Sequence, residues 1–172
     1  MLSMRVFIPL AATLLLAVSP ALSAPIRCSD DGEGGACVWG RVEGYDGAAV
    51  QIRGLTIQIM GIAVPSRREL CQDKTNKTSF DCAKPARKHM GELLAKGVAC
   101  DILDVSGGAI WGRCNVATGD LGQALVAAGV ARADKGGFYD TEQAAALSAK
   151  KGLWAPATLI PKDWETIRKK SE

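Results

Sequence analysis

The stretch Thr56–Cys71, TIQIMGIAVPSRRELC, decides how the chain is read. Ile57 and Ile59 alternate with Thr56 and Gln58, the period-two pattern of a half-buried strand. Met60-Gly61-Ile62 prolongs it and Pro65 stops it, because proline has no N–H to give to a ladder. A strand that ends this way and runs into Ser66, Arg67, Arg68 and Glu69 delivers a polar loop to a surface.

Upstream, Val38–Val42 and Ala49–Ile52 read as two more strands, and with Leu55–Met60 they form a meander. The turn signals are Gly44-Tyr45-Asp46-Gly47 and Arg53-Gly54. Downstream, Ala86, Met90, Leu93 and Leu94 recur at helical spacing over Pro85–Lys96, and Gly97 is the stop. His89 on this helix has no acid or nucleophile motif beside it, so an ordinary helix-surface histidine is the reading preferred to a catalytic base. Val98–Val105 and Ala109–Val116 make an antiparallel pair through Ser106-Gly107-Gly108, completing five strands. Asp120 is placed to cap a helix over Leu121–Ala128 that ends at Gly129. After the loop Lys135-Gly136-Gly137, a weak phosphate-cradle signal, Asp140 is the expected cap of a third helix, Glu142–Lys151. Beyond Trp154, Pro156 and Pro161 interrupt an extended tail with a short charged end, and Trp154 and Trp164 are placed to dock it.

The chain opens with one positive charge, Arg5, then an uncharged run over Val6–Val18 and small residues up to Ala24. That is the pattern of a secretory signal peptide over residues 1–23, cut after Ala21-Leu22-Ser23. An uncleaved anchor is the alternative, for which the run is short of the ~20 residues a span needs. The remaining ~149 residues suit one domain with its own core. Of 21 basic side chains the leader takes Arg5, leaving 20 against 18 acidic ones, too weak a balance to argue nucleic-acid binding from charge alone. No membrane span is expected after removal of the leader. All six cysteines lie after it, and an even number in an exported chain favours disulfides, whose connectivity spacing alone leaves open. Zinc is the competing use, but there is no CxxC and only one histidine.

The pattern resembles the staphylococcal nuclease (thermonuclease) family, whose members carry Arg-Leu-x-Gly-Ile-Asp-x-Pro-Glu where this chain has Gln58 to Ser66. The resemblance runs from about Gly40 to Trp154. Gly40-Arg41-Val42 and Asp46-Gly47 are similar to the family's opening strand and Asp-Gly-Asp-Thr turn, and Cys82-Ala83 opens the first helix. Trp111-Gly112-Arg113 stands for Tyr-Gly-Arg, Asp120-Leu121 to Gly129-Val130-Ala131 for the second helix, and Tyr139, Glu142 and Lys151-Gly152-Leu153-Trp154 for the closing segment. The resemblance implies an α+β, mainly β fold: a five-stranded OB barrel with three helices. It implies four parts: a leader (1–23), an amino-terminal segment (24–39), the nuclease-like domain (40–155) and a tail (156–172). It also pairs the cysteines as Cys28–Cys37, Cys71–Cys82 and Cys100–Cys114, which staple the fold.

Active relatives cut phosphodiester bonds with calcium. They use two aspartates and a threonine carbonyl on the metal, a glutamate for the water and two arginines on the phosphate. Carried over one residue at a time, the aspartates fall on Ala48 and Ala63, the threonine on Val64, the glutamate on Ser66 and the first arginine on Gln58. Arg113 alone is retained, either as a remnant phosphate clamp or as a structural arginine paired with a carboxylate or carbonyl. The expectation is therefore no metal and no cofactor. The chain would be a monomeric, catalytically inactive binding module, periplasmic or extracellular, for an oligonucleotide, a polysaccharide or an envelope protein. The alternative is a nuclease with a site rearranged around Arg113 and Glu69.

Overall fold

A computed structural model describes Cys28, residues 35–134 and residues 138–170; the leader and Lys135-Gly136-Gly137 lie outside the described residues. The meander forms as the turn chemistry dictates. Strands β1 (Cys37–Gly40) and β2 (Gly44–Tyr45) follow one another with only residues 41–43 between, β3 (Ala49–Ile52) folds back on β2, and β4 (Leu55–Ile59) folds back on β3. At the first turn Asp46 Oδ1 accepts the N–H groups of Ala48 and Ala49 at 3.0 and 2.9 Å. At the second, Arg53 and Gly54 take φ of +51° and +76°, the paired left-handed residues that match the twist of a two-residue hairpin. Ile57 and Ile59 are buried while Thr56 is exposed, so the alternation in the quoted stretch does mark a core face.

The stretch leaves the sheet at Gly61 (φ +81°), makes β5 (Ile62–Ala63), and crosses Pro65 into β6 (Leu70–Asp73), which pairs with β7 (Ser79–Asp81). Helix α1 (Lys84–Leu93) continues as a 3-10 turn over Leu94–Lys96 and stops at Gly97. The long hairpin β8 (Val98–Ser106) and β9 (Ala109–Val116) follows, then β10 (Gly119–Asp120), α2 (Leu121–Ala127), β11 (Arg132–Ala133), α3 (Asp140–Ser148), β12 (Thr158–Leu159) and α4 (Lys162–Lys170). The main sheet runs β1-β8-β9-β4-β3-β2 with β10 on β9, and only β4–β9 is parallel. Two small sheets, β11-β5 and β12-β6-β7, flank it. The architecture is mixed α+β, and the hydrogen-bonded path of the main sheet is open rather than a closed ring.

Three expectations need correction. Among the described residues there are four α-helices, not three, because the tail is not simply extended: Thr158–Leu159 adds to β6 and residues 162–170 form α4. Packing overrides the two prolines here: Trp164 is buried and stacks on Trp154 at 4.8 Å, and Pro161 only precedes the helix, where a missing N–H costs nothing. Asp140 does not cap α3; Tyr139 holds the cap position, and Asp140 lies in the first turn, where its charge favours the helix N-terminus. That helix ends at Ser148, before Lys150 (φ +52°) and Gly152 (φ +54°) reverse the chain.

Burial separates into two cores. The larger lies between the main sheet and helices α1 and α2, around Ile52, Ile57, Met90, Val98, Leu121 and Leu125. The smaller gathers Ala146, Leu153, Trp154, Ile160 and Trp164 around the Cys71–Cys82 bridge. All six cysteines pair as the resemblance implied, and Cys100 sits directly opposite Cys114 across β8 and β9. No helix among the described residues is long and apolar enough to cross a membrane.

Candidate functional site

Three of the positions singled out in sequence, Ala48, Val64 and Ser66, line one surface hollow of 310 Å³ with Asp46, Arg67, Arg68 and Ala83. Two backbone ties bring them together. The Ile59 N–H reaches Ala48 O at 2.8 Å, fixing the Asp46 turn to the end of β4, and β5 is held against β11 with Ala63 opposite Arg132. Gln58 lies further back on β4, between Ala49 of β3 and Trp111 of β9.

The carboxylates around this hollow hold backbone. Asp46 Oδ1 carries two N–H groups of its own turn. Glu69 Oε2 accepts the Ser66 N–H at 2.6 Å while Glu69 N–H returns to Ser66 O at 3.0 Å, so Glu69 closes the loop it sits in. The Arg68 N–H donates to Ser66 Oγ at 3.2 Å. Behind the loop, Asp81 accepts the Ala83 N–H at 2.8 Å and Arg87 Nη2 at 2.6 Å. The hydrogen bond from Arg87 is the main cause that holds the Asp81 carboxyl below its ordinary pKa, with Arg67 contributing through space. Among the described residues no three of His, Cys, Asp and Glu form a group able to hold a metal ion.

Arg113 belongs to a different constellation. Its Nε lies 3.5 Å from Asp120 Oδ2, and its guanidinium covers the Phe138 ring at 5.2 Å. Asp120 is the cap of α2, accepting the Gln123 N–H at 2.9 Å, and it also takes the Tyr139 hydroxyl at 3.0 and 3.1 Å. Burial first, then the Asp120 charge, raise the Tyr139 pKa above its ordinary value. Arg113 and Glu69 are thus each tied to another element, one to the start of α2 and the other to Ser66. Sequence reading identified Asp120 as a cap but missed Phe138, Tyr139 and Asp81 as participants. The available signal was position: Phe138 and Tyr139 come just before α3, and Asp81 ends β7 shortly before α1. His89 contacts Glu92 at 3.6 Å on the surface of α1.

No model of a known protein family matches the chain, and no curated protein matches it.

Proposed function

We propose that the chain is an exported, non-catalytic binding module of the staphylococcal nuclease type, built on an OB barrel, that holds an anionic stretch of polymer at the Arg67–Arg68 hollow. The donor set of that hollow carries this reading. Ala48 and Val64 offer no side-chain oxygen, Asp46 spends Oδ1 on its turn, Glu69 closes its own loop, and Arg67 and Arg68 line the opening. Calcium takes about six to eight oxygens, with carboxylates among them, and this set does not fit it. A general base would need a carboxylate poised toward water, and each candidate spends one oxygen on backbone N–H groups, Asp46 Oδ1 in its turn and Glu69 Oε2 on Ser66.

The barrel reading is supported by the strand path. Its ends, β1 and β2, are consecutive in sequence, so one extended run edges both sides of the sheet, as closure requires. Barrels of this type commonly take oligonucleotides and oligosaccharides. Export is supported by the leader pattern and by three disulfides, which persist in oxidising compartments. The nuclease alternative would require Arg113 to leave Asp120 and Phe138 and Glu69 to leave Ser66.

The test is anisotropy of the purified protein with labelled single-stranded DNA and with an acidic polysaccharide, beside a cleavage assay in calcium and in chelator. Binding is expected to survive chelator, weaken with salt, and fall about three- to fivefold for each of Arg67→Ala and Arg68→Ala. Calcium-dependent cleavage that disappears in Arg113→Ala or Glu69→Gln would establish the enzyme instead.

A further inference from the structure

A second hollow, of 440 Å³, lies between α3 and α4 and draws on none of the residues of the first. Leu147, Trp154 and Pro156 give it apolar walls, and Ser148, Lys150 and Arg168 are its polar lining. Several nearby carbonyls are already used. The carbonyls of Ala145, Ala146 and Leu147, the negative end of α3, each accept a backbone N–H at 3.0 Å, from Ala149, Lys151 and Lys150. The carbonyls of Ala155 and Thr158 accept Arg168 Nη1 at 3.3 and 3.1 Å, which fixes that guanidinium in place. Glu165 pairs there too, 3.9 Å from Arg168 Nη2 and 3.5 Å from Lys169 Nζ. Trp154 adds a buried indole Nε1–H without an acceptor, on a side chain that is itself almost fully buried.

An apolar-walled hollow lined by a lysine, a guanidinium held in place and a hydroxyl suits an anion carried on an apolar body. We propose that this hollow binds a small organic acid, its carboxylate toward Lys150 and Arg168 and its hydrocarbon portion against Trp154 and Leu147. A volume of 440 Å³ falls in the size range of small-molecule sites, about 300–1,000 Å³. The site is independent of the polymer reading above, and either can fail without the other.

The test uses the purified protein with 3-phenylpropionate as the probe and 3-phenylpropionamide as its uncharged counterpart. It is followed by calorimetry and by the indole N–H signals of the four tryptophans. The acid is expected to bind saturably and shift the Trp154 signal, the amide to do neither. Lys150→Gln should weaken the acid about fivefold, the loss of one partly exposed charge contact. Ala144→Phe, at an exposed helix position on the rim, should abolish binding while the melting temperature stays within a degree or two of the parent. Equal binding of the amide, indifference to both substitutions, or no heat and no shift at about 10 mM acid would overturn the proposal, since even weak ligands of this size reach ~1 mM.

Discussion

Asp120→Ala is the substitution that best separates a structural Arg113 from a functional one. Three interactions end on that carboxylate: the cap of α2, the Tyr139 hydroxyl, and Arg113. Loss of a cap costs about 1 kcal/mol. A buried Tyr hydroxyl left without its acceptor adds about 1–3 kcal/mol, and Tyr139 is only 4% exposed. The Arg113 pair adds under about 1 kcal/mol, because the arginine side chain is 44% exposed and its charge is screened. Together Asp120→Ala should cost about 2–5 kcal/mol in urea unfolding and lower the melting temperature by roughly 5–20 °C. Arg113→Ala should cost about 0.5–1 kcal/mol, mostly from the Phe138 contact and the exposed pair. Asp120→Asn keeps an oxygen for both the cap and Tyr139 and should fall between them. A double-mutant cycle of Asp120→Ala with Tyr139→Phe should return a coupling of about 1 kcal/mol. The reasoning fails if Arg113→Ala destabilises as much as Asp120→Ala. It fails equally if Arg113→Ala leaves stability untouched but removes ligand binding, which would make the arginine a contact residue.

Because the Tyr139 pKa is raised in the folded state, its contribution is fully present below the ordinary pKa of 10.0 and is lost as pH rises above it. The unfolding free energy should therefore fall more steeply above pH 10 in the parent than in Tyr139→Phe, measured by urea titration across that range. Mass mapping of the unreduced protein should find the three pairs and no free thiol, and Cys71→Ser with Cys82→Ser should cost about 3 kcal/mol for a loop of 11 residues. Trp164→Ala should cost about 3–5 kcal/mol and abolish the near-ultraviolet dichroism of the stacked Trp154–Trp164 pair.

What was legible in the sequence was what adjacent residues decide. Asp46-Gly47 and Arg53-Gly54 announce turns because a side-chain acceptor and a left-handed backbone act within three residues, and both turns form where they were read. Gly97 and Gly129 end their helices for the same local reason, with φ of +93° and +70°. Trp154 and Trp164 dock the tail as the sequence suggests, but its helix is not legible there because its local signals, two prolines and a charged end, are breakers. What orders it is distant: Ile160 and Trp164 fill a core whose other half comes from α3, Trp154 and the Cys71–Cys82 bridge. The same holds at the candidate site. Ala48, Val64 and Ser66, singled out by the resemblance, line one hollow, but nothing in the sequence says that Glu69 turns back on Ser66 or that one oxygen pair of Asp120 serves a helix cap, a tyrosine and an arginine together.

The distribution of carboxylates links these points into one argument about function. A hydrolytic site needs acids held by the fold yet left free to bind metal or move a proton. Around the Arg67–Arg68 hollow, Asp46 Oδ1, Glu69 Oε2 and Asp81 Oδ1 accept backbone N–H groups and Asp81 Oδ2 accepts Arg87, so each of these acids is tied to a turn, a loop or a helix start. Acids introduced at Ala48 and Ala63 would stand beside a turn already satisfied by Asp46 and on a strand paired with Arg132. The double variant Ala48→Asp with Ala63→Asp is therefore expected to fold. If it gains calcium affinity by calorimetry while the parent has none, the hollow has the geometry of a metal site and lacks only the ligands; if it gains none, the loop closed by Glu69 shapes the hollow for a different ligand.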